Sequence, residues 1–257
     1  MVLLGPCPSS PGRWDAQIPP RRCVSRQTGG MHGVLLDVGG VFLVPSQDRL
    51  IEALGELIGG VSDAQCDRAH FEGIHALDVV NVPGNEDRRI YLSAYLSSME
   101  IPEDQLEGAI DTLIPVWRGP SLDLWRRVLS GSIAGLWTLH RANLRLGIVS
   151  NSDGHVEEEM VRNEICQVGP GPGVPVQAII DSGVVGVAKP DPSIFDFALP
   201  SLELDPSEVI YVGDSVKYDI RSAEAAGMTP VHIDPFGLCE DTDHGHVAHL
   251  GEVLNNV

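Results

Sequence analysis

Apolar residues fall along this chain in two rhythms. Gly33-Val34-Leu35-Leu36, Leu144-Arg145-Leu146-Gly147-Ile148-Val149, Val209-Ile210-Tyr211-Val212 and Val231-His232-Ile233 run almost without polar interruption, and Val176 to Ile180 adds a shorter run. Short continuous apolar runs bounded by turn residues predict strands buried on both faces, the kind found in parallel sheets. Between residues 45 and 130 the rhythm is helical instead. Ser46 can cap a helix whose Leu50, Ile51, Leu54, Leu57 and Ile58 share one face, ending at Gly59-Gly60. Ser62 followed by Gln65 has capping-box spacing and opens a second helix toward Leu77. After a turn at Asn81-Val82-Pro83-Gly84, the spacing predicts helices around 86–99, 102–114 and 121–129.

Beyond this block, helices are expected around 132–142 and 154–165, with a loop over 167–175. Asp191-Pro192 and Asp205-Pro206 mark further helix starts. From residue 131 strands alternate with helices, which predicts an α/β fold with a parallel, doubly wound sheet. Helix after helix directly behind the first strand predicts an all-helical cap over that strand's end. The expected division is a core of residues 31–44 and 131–257, and a cap of residues 45–130.

Composition narrows the classes. The chain has 257 residues, 43% of them apolar, and no apolar stretch nears the roughly 18 residues of a membrane span. A formal net charge of -19 argues against nucleic acid or an anionic membrane surface as partner. Residues 1–30 differ: four arginines against one aspartate give +3, leaving -22 on residues 31–257. This segment reads as a disordered tail, or as a start placed too early with Met31 the true one. Cys7, Cys23, Cys66, Cys166 and Cys239 are odd in number and form no C-x-x-C pair, which predicts reduced thiols and a cytoplasmic location over disulfides or a zinc site.

The chemistry gathers at strand ends, where open α/β sheets place their ligand sites. Asp37 follows the first strand, and Gly39-Gly40 behind it permit a tight turn. Ser150 and Asn151 follow the second strand, Asp214 and Asp219 a later one, and Lys189 lies in a loop before a helix. Three carboxylates and one ammonium carry -2, which a divalent cation would neutralise. Clustered carboxylates suit Mg²⁺, which commonly shares its shell with a phosphate. Ser150 and the Asn151 amide would hold phosphate oxygens near a helix start.

Asp37-x-Gly-Gly-Val, Ser150-Asn151, Lys189-Pro190-Asp191-Pro192 and Gly213-Asp214-Ser215-x-x-x-Asp219, in that order, resemble the four motifs of the haloacid dehalogenase-like (HAD) hydrolase superfamily. The resemblance spans roughly residues 31–235. It implies a Rossmann-like core, a helical cap inserted after the first motif, and hydrolysis of a small-metabolite phosphomonoester through an aspartyl intermediate. Asp37 would be the nucleophile and a Mg²⁺ ligand, with the Gly39 carbonyl and Asp214 as further ligands and Asp219 in support. Lys189 would orient nucleophile and phosphate, and Gly40 would join Ser150, Asn151 and Lys189 around the phosphate. One position departs from the pattern. Phosphatases of this superfamily usually carry an acid/base aspartate two residues after the nucleophile, and here Gly39 stands there. A missing acid/base group costs about 10²–10⁴-fold in rate. Three readings stay open: a good leaving group, a substitute such as a cap histidine, or a weak or non-catalytic binding module. A haloacid-type dehalogenase is the enzymatic alternative.

His70 and His75 are candidate substrate contacts or substitute acids; five apart on one helix, they are poorly spaced to share a metal. His155 could line the entrance, and Arg88, Arg89, Tyr91, Tyr95, Trp117 and Arg118 are candidate cap contacts. His244, His246 and His249, with Asp241 and Asp243, invite a metal reading, although such clusters are more often polar surface loops.

Overall fold

The computed structural model describes residues 30–80, 87–118 and 124–256, without the side chains of Glu56, residues 116–118 and Asn256. The expected tail, the Asn81–Gly84 turn, the opening of the 121–129 segment and the side chains of Trp117 and Arg118 lie outside the described residues. The described residues form ten strands: β1 (Gly33–Leu36), β2 (Leu43–Pro45), β3 (Trp125–Val128), β4 (Arg145–Ser150), β5 (Cys166–Val168), β6 (Val174–Val176), β7 (Ala178–Asp181), β8 (Val209–Gly213), β9 (Thr229–Ile233) and β10 (Gly245–Val247). Six of them build one parallel sheet in the order β10-β9-β8-β1-β4-β7. The runs of β1 and β8 are buried throughout, as both faces are covered. Their inward residues pack into two clusters, one around Leu36, Ile148 and Val212 and one around Leu35, Val149 and Tyr211.

From β1, the chain later adds β4 on one side and β8 on the other, so the carboxyl end of β1 faces a crevice between diverging connections. The helical stretch is inserted here: α1 (Gln47–Leu54), α2 (Asp63–Val79), α3 (Asp87–Ser98) and α4 (Glu103–Arg118). These helices have their own apolar centre, with Leu50, Tyr91, Tyr95, Leu96 and Leu113 fully buried. The Ser62–Gln65 capping box opens α2.

Three expectations need correction. Residues 125–128 are a strand, pairing antiparallel with β2 through Leu43↔Val128 and Val44↔Arg127, so a two-stranded ribbon closes the otherwise helical insertion. Four residues are too few for periodicity to separate strand from helix, and the partner strand some eighty residues away decides. The expected loop over 167–175 holds part of a short ladder, Cys166↔Val174 to Val168↔Val176. Lastly, Val231-His232-Ile233 is the last apolar run that predicts a strand, yet β9 does not end the sheet: β10 pairs parallel to it through Gly245↔Val231 and Val247↔Ile233.

Candidate active site

The carboxyl ends of β1, β4 and β8 meet in a cleft of about 460 Å³ lined by Asp37, Gly39, Ser150, Asn151, Lys189, Asp214 and Asp219. Asp37 and Asp214 are fixed by the strands they follow, and Asp219 by the turn after β8. Oxygens of the three carboxylates lie within 4.8 Å of one another. Lys189 Nζ stands 2.9 Å from Asp37 Oδ1 and donates to Asp219 Oδ1 at 2.6 Å. It also donates to the Tyr211 hydroxyl at 2.7 Å, which in turn donates to the Val149 carbonyl at 2.9 Å. Asn151 positions this lysine: its side-chain amide donates to the Lys189 carbonyl and accepts from the Lys189 N–H, both at 2.8 Å.

Burial sets the electrostatics. It raises the carboxyl pKa of Asp37 and Asp219 despite the opposing pull of Lys189, and raises Asp214 well above the usual range with the help of Asp37 and Asp78. Burial would depress Lys189, but Asp219 and Asp37 beside it carry its pKa above the ordinary value. Carboxylates outnumber ammonium groups three to one here, in a setting where each uncompensated charge is costly.

A Mg²⁺ ion fits this donor set. Asp37 Oδ1 is buried and in ion contact with Lys189, but lacks an aligned hydrogen bond. Hard oxygen donors with surplus negative charge are what Mg²⁺ seeks. Asp219 is engaged differently, accepting from Lys189 and from the Ser215 N–H at 3.0 Å, which places it as a buttress for the loop.

Several candidates stand elsewhere than expected. Gly40 spends its N–H on the Leu43 carbonyl at 2.9 Å, so it has no donor for a phosphate. Its φ of 62° and bare Cα serve the Asp214 carboxylate instead, since a Cβ there would sit 1.9 Å from Asp214 Oδ2. His70 is fully buried outside the cleft lining, with Nε2 2.9 Å from Asp214 Oδ2 and Nδ1 2.9 Å from the Tyr91 hydroxyl. Burial lowers its pKa to about 3, so a neutral ring donates to Asp214 and orients it. His75 also lies outside the cleft lining, whereas His155 lines it, with Nδ1 3.1 Å from Asp153 Oδ1. Arg88 reaches the cleft, while Arg89 pairs with Asp111 and Glu107. Trp125 stands against Gly39, where a Cβ would meet its indole at 3.4 Å.

Two participants carried no sequence signal. Tyr211 reads as one more apolar strand residue, yet its hydroxyl holds Lys189. Asp78, near the end of α2, accepts from Ser215 Oγ at 2.7 Å, Val216 N at 2.8 Å and Lys217 N at 2.9 Å. The inserted helices thereby grip the loop that bears Asp214 and Asp219.

Known proteins share this arrangement of sequence and fold. A family model described as haloacid dehalogenase-like hydrolase matches residues 31–227. Phosphoserine phosphatase of Thermus thermophilus is 33% identical over 113 residues, 44% of this chain and 43% of that protein. Glyceraldehyde 3-phosphate phosphatase of Methanopyrus kandleri is 46% identical over 55 residues, 21% of this chain and 24% of that protein. The chain thus spans less than half the length of these relatives. Among solved structures, a HAD phosphatase from Thermococcus onnurineus superposes with a TM-score of 0.52 at 20% identity, covering 88% of this chain and 97% of that one. A magnesium-bound HAD-hydrolase of Bacillus subtilis gives 0.53 at 18% identity, with the same coverage. These two likenesses concern the fold.

Proposed function

The chain belongs to the haloacid dehalogenase-like hydrolase family, and from that premise we propose that it is a Mg²⁺-dependent phosphatase of a small phosphorylated metabolite. The observation that carries this reading is the three buried carboxylates around one lysine at the mouth of β1 and β8. The phosphatase names of the two relatives support it. Residues 31–44 and 131–257 act as the core and residues 45–130 as the cap. Free thiols at Cys66, Cys166 and Cys239 support a reducing, cytoplasmic setting.

Asp37, Asp214 and the Gly39 carbonyl would hold Mg²⁺, with Asp219 in support. The ion would offset the repulsion between the Asp37 carboxylate and an anionic phosphoryl group. An Asp37 oxygen attacks phosphorus and the ester P–O bond breaks, the leaving oxygen keeping the electron pair and taking a proton from cleft water. A second water then attacks phosphorus, its proton passing to the hydroxide left in the cleft, the bond between the Asp37 oxygen and phosphorus breaks, and inorganic phosphate departs with the carboxylate restored. Lys189 and Ser150 bind phosphoryl oxygens, Asn151 holds Lys189 in place, and Arg88 and His155 contact the rest of the substrate.

With Gly39 bare and Trp125 against it, no side chain among the described residues stands at that position to protonate the leaving group. Substrates with acidic leaving groups therefore turn over fastest, by about 10²–10⁴-fold against alkyl phosphates. The same observation favours a second reading, a binding module that retains the fold without turnover. The test is phosphate release from p-nitrophenyl phosphate and a panel of phosphorylated metabolites, with Mg²⁺ or EDTA, for the parent and Asp37→Asn. Release that needs both Mg²⁺ and Asp37, and drops at least about 10³-fold in the variant, supports the phosphatase. Thermal stabilisation by ligands without release supports the binding module, and halide release from a haloacid without Mg²⁺ supports a dehalogenase.

A further inference from the structure

On the far side of Asp214 lie four side chains that this hydrolysis does not use. His232 is in β9, Cys239 and His244 are on the connection to β10, and His246 is in β10. Their ligand-capable atoms all lie within 4.8 Å of one another. We propose that they form a second metal site, for Zn²⁺ or a chemically similar divalent transition ion.

The hydrogen bonds fix which ring nitrogens are bare. His232 Nε2 is 2.9 Å from the Asp214 carbonyl oxygen, His244 Nδ1 is 2.7 Å from Asp243 Oδ1, and His246 Nε2 is 2.9 Å from the Asp241 carbonyl oxygen. All three acceptors lack a proton, so each ring donates there and turns its other nitrogen inward, the atom that would meet an ion. Histidines that bind metal are held in this way, one nitrogen donating to a carbonyl or carboxylate and the other left for the ion.

The inward atoms are spaced for a tetrahedral ion. His232 Nδ1 and His244 Nε2 face each other at 3.4 Å. Two nitrogens each about 2.0–2.1 Å from a tetrahedral Zn²⁺ are about 3.4 Å apart. Cys239 Sγ lies 3.9 Å from His244 Nε2, against about 3.6 Å for a sulfur and a nitrogen on one Zn²⁺. Three imidazoles and a thiol suit a borderline-soft ion and not Mg²⁺, so this site and the carboxylate cluster select different metals.

On binding, Cys239 gives up its thiol proton to solvent and the sulfur becomes the fourth ligand. The resulting +1 faces Asp243 behind His244 and Asp234, whose Oδ2 is 3.8 Å from His246 Nδ1. Four protein ligands leave no open position, so the ion is structural. It would staple the excursion between β9 and β10 onto the sheet and, through His232, brace the backbone that carries Asp214.

The experiment uses the full-length protein, stripped with a chelator and dialysed into excess Mg²⁺, then given Zn²⁺ or Co²⁺. Bound metal is counted by mass spectrometry, and the Co²⁺ form is examined for a sulfur-to-cobalt charge-transfer band. The expected result is one equivalent of transition metal retained against excess Mg²⁺, with the band present in the parent and unchanged in Asp37→Asn. Cys239→Ser loses the band and binds at least tenfold more weakly, as does His244→Gln. No retained equivalent in the parent, or a Co²⁺ spectrum unaltered by Cys239→Ser, overturns the site. The parent readings need no variant to fold, and no reading depends on turnover, so failure of the phosphatase leaves this test standing.

Discussion

Two clusters meet at residue 214, one through its side chain and one through its carbonyl oxygen. The Asp214 carboxylate joins Asp37 and Asp219 around Lys189, while its carbonyl accepts from His232 in the histidine–cysteine group. The first cluster is all oxygen, sits at three strand ends, and is over-supplied with negative charge under burial. The second is nitrogen and sulfur, borrowed mostly from a short excursion beyond β9, and its rings are aimed by acceptors behind them. The two are thus prepared for opposite tasks: the first is held together by charge that burial leaves it unable to neutralise alone, the second by the directions in which its rings are aimed.

The sharpest way to break that contrast is to remove the one ammonium from the oxygen cluster. Lys189→Ala leaves Asp37 and Asp219 buried without their cation, a loss of about 3–5 kcal/mol in chelator-treated protein. Thermal denaturation will show a lower midpoint that Mg²⁺ partly restores, while Zn²⁺ uptake by the other cluster is unchanged.

A smaller effect comes from Gly40→Ala. The new Cβ meets the Asp214 carboxylate at a φ of 62°, so the carboxylate is pushed aside. Strain of about 1–3 kcal/mol is expected, with weaker Mg²⁺ activation of phosphate release as the readout.

The subtlest difference is in pH. Burial holds His70 at about 3 and His232 at about 4, against 6.5 in the unfolded chain. As pH falls below about 6.5 the unfolded chain takes up those protons first, so stability is lost toward acid. The carboxylates run the other way. Their raised values mean that the folded state takes up protons first as pH falls, and their burden grows as pH rises above 3.8. Mg²⁺ relieves that burden, so the gap in melting temperature between Mg²⁺ and EDTA samples widens from pH 4 to pH 7. A gap that stays constant over this range would contradict the charge account.

How much of this was legible beforehand depended on how local the cause was. β1, β4 and β8 could be read directly because strands covered on both faces leave unbroken apolar runs, and the family pattern lay in the residues that end them. β3 could not, since its strand character comes from pairing with β2. The parts played by Asp78 and His70 were equally hidden, because their partners are 137 and 144 residues away and any helix carries such polar residues on its surface. The sequence sets His244 and His246 beside His249, Asp241 and Asp243, whereas His232 and Cys239 read as a strand residue and a stray thiol, because only the return of β10 along β9 brings them together. Proximity in sequence places His249 with them, but it faces Glu252 at 3.5 Å.

The grip of Asp78 on residues 215–217 has a kinetic side. Those three hydrogen bonds share one carboxylate, so any outward swing of α2 must break them as a set, at about 0.5–1.5 kcal/mol each. A loop tied in this way moves only with α2, so solvent exchange of the Val216 and Lys217 amide protons reports how firmly that helix is seated.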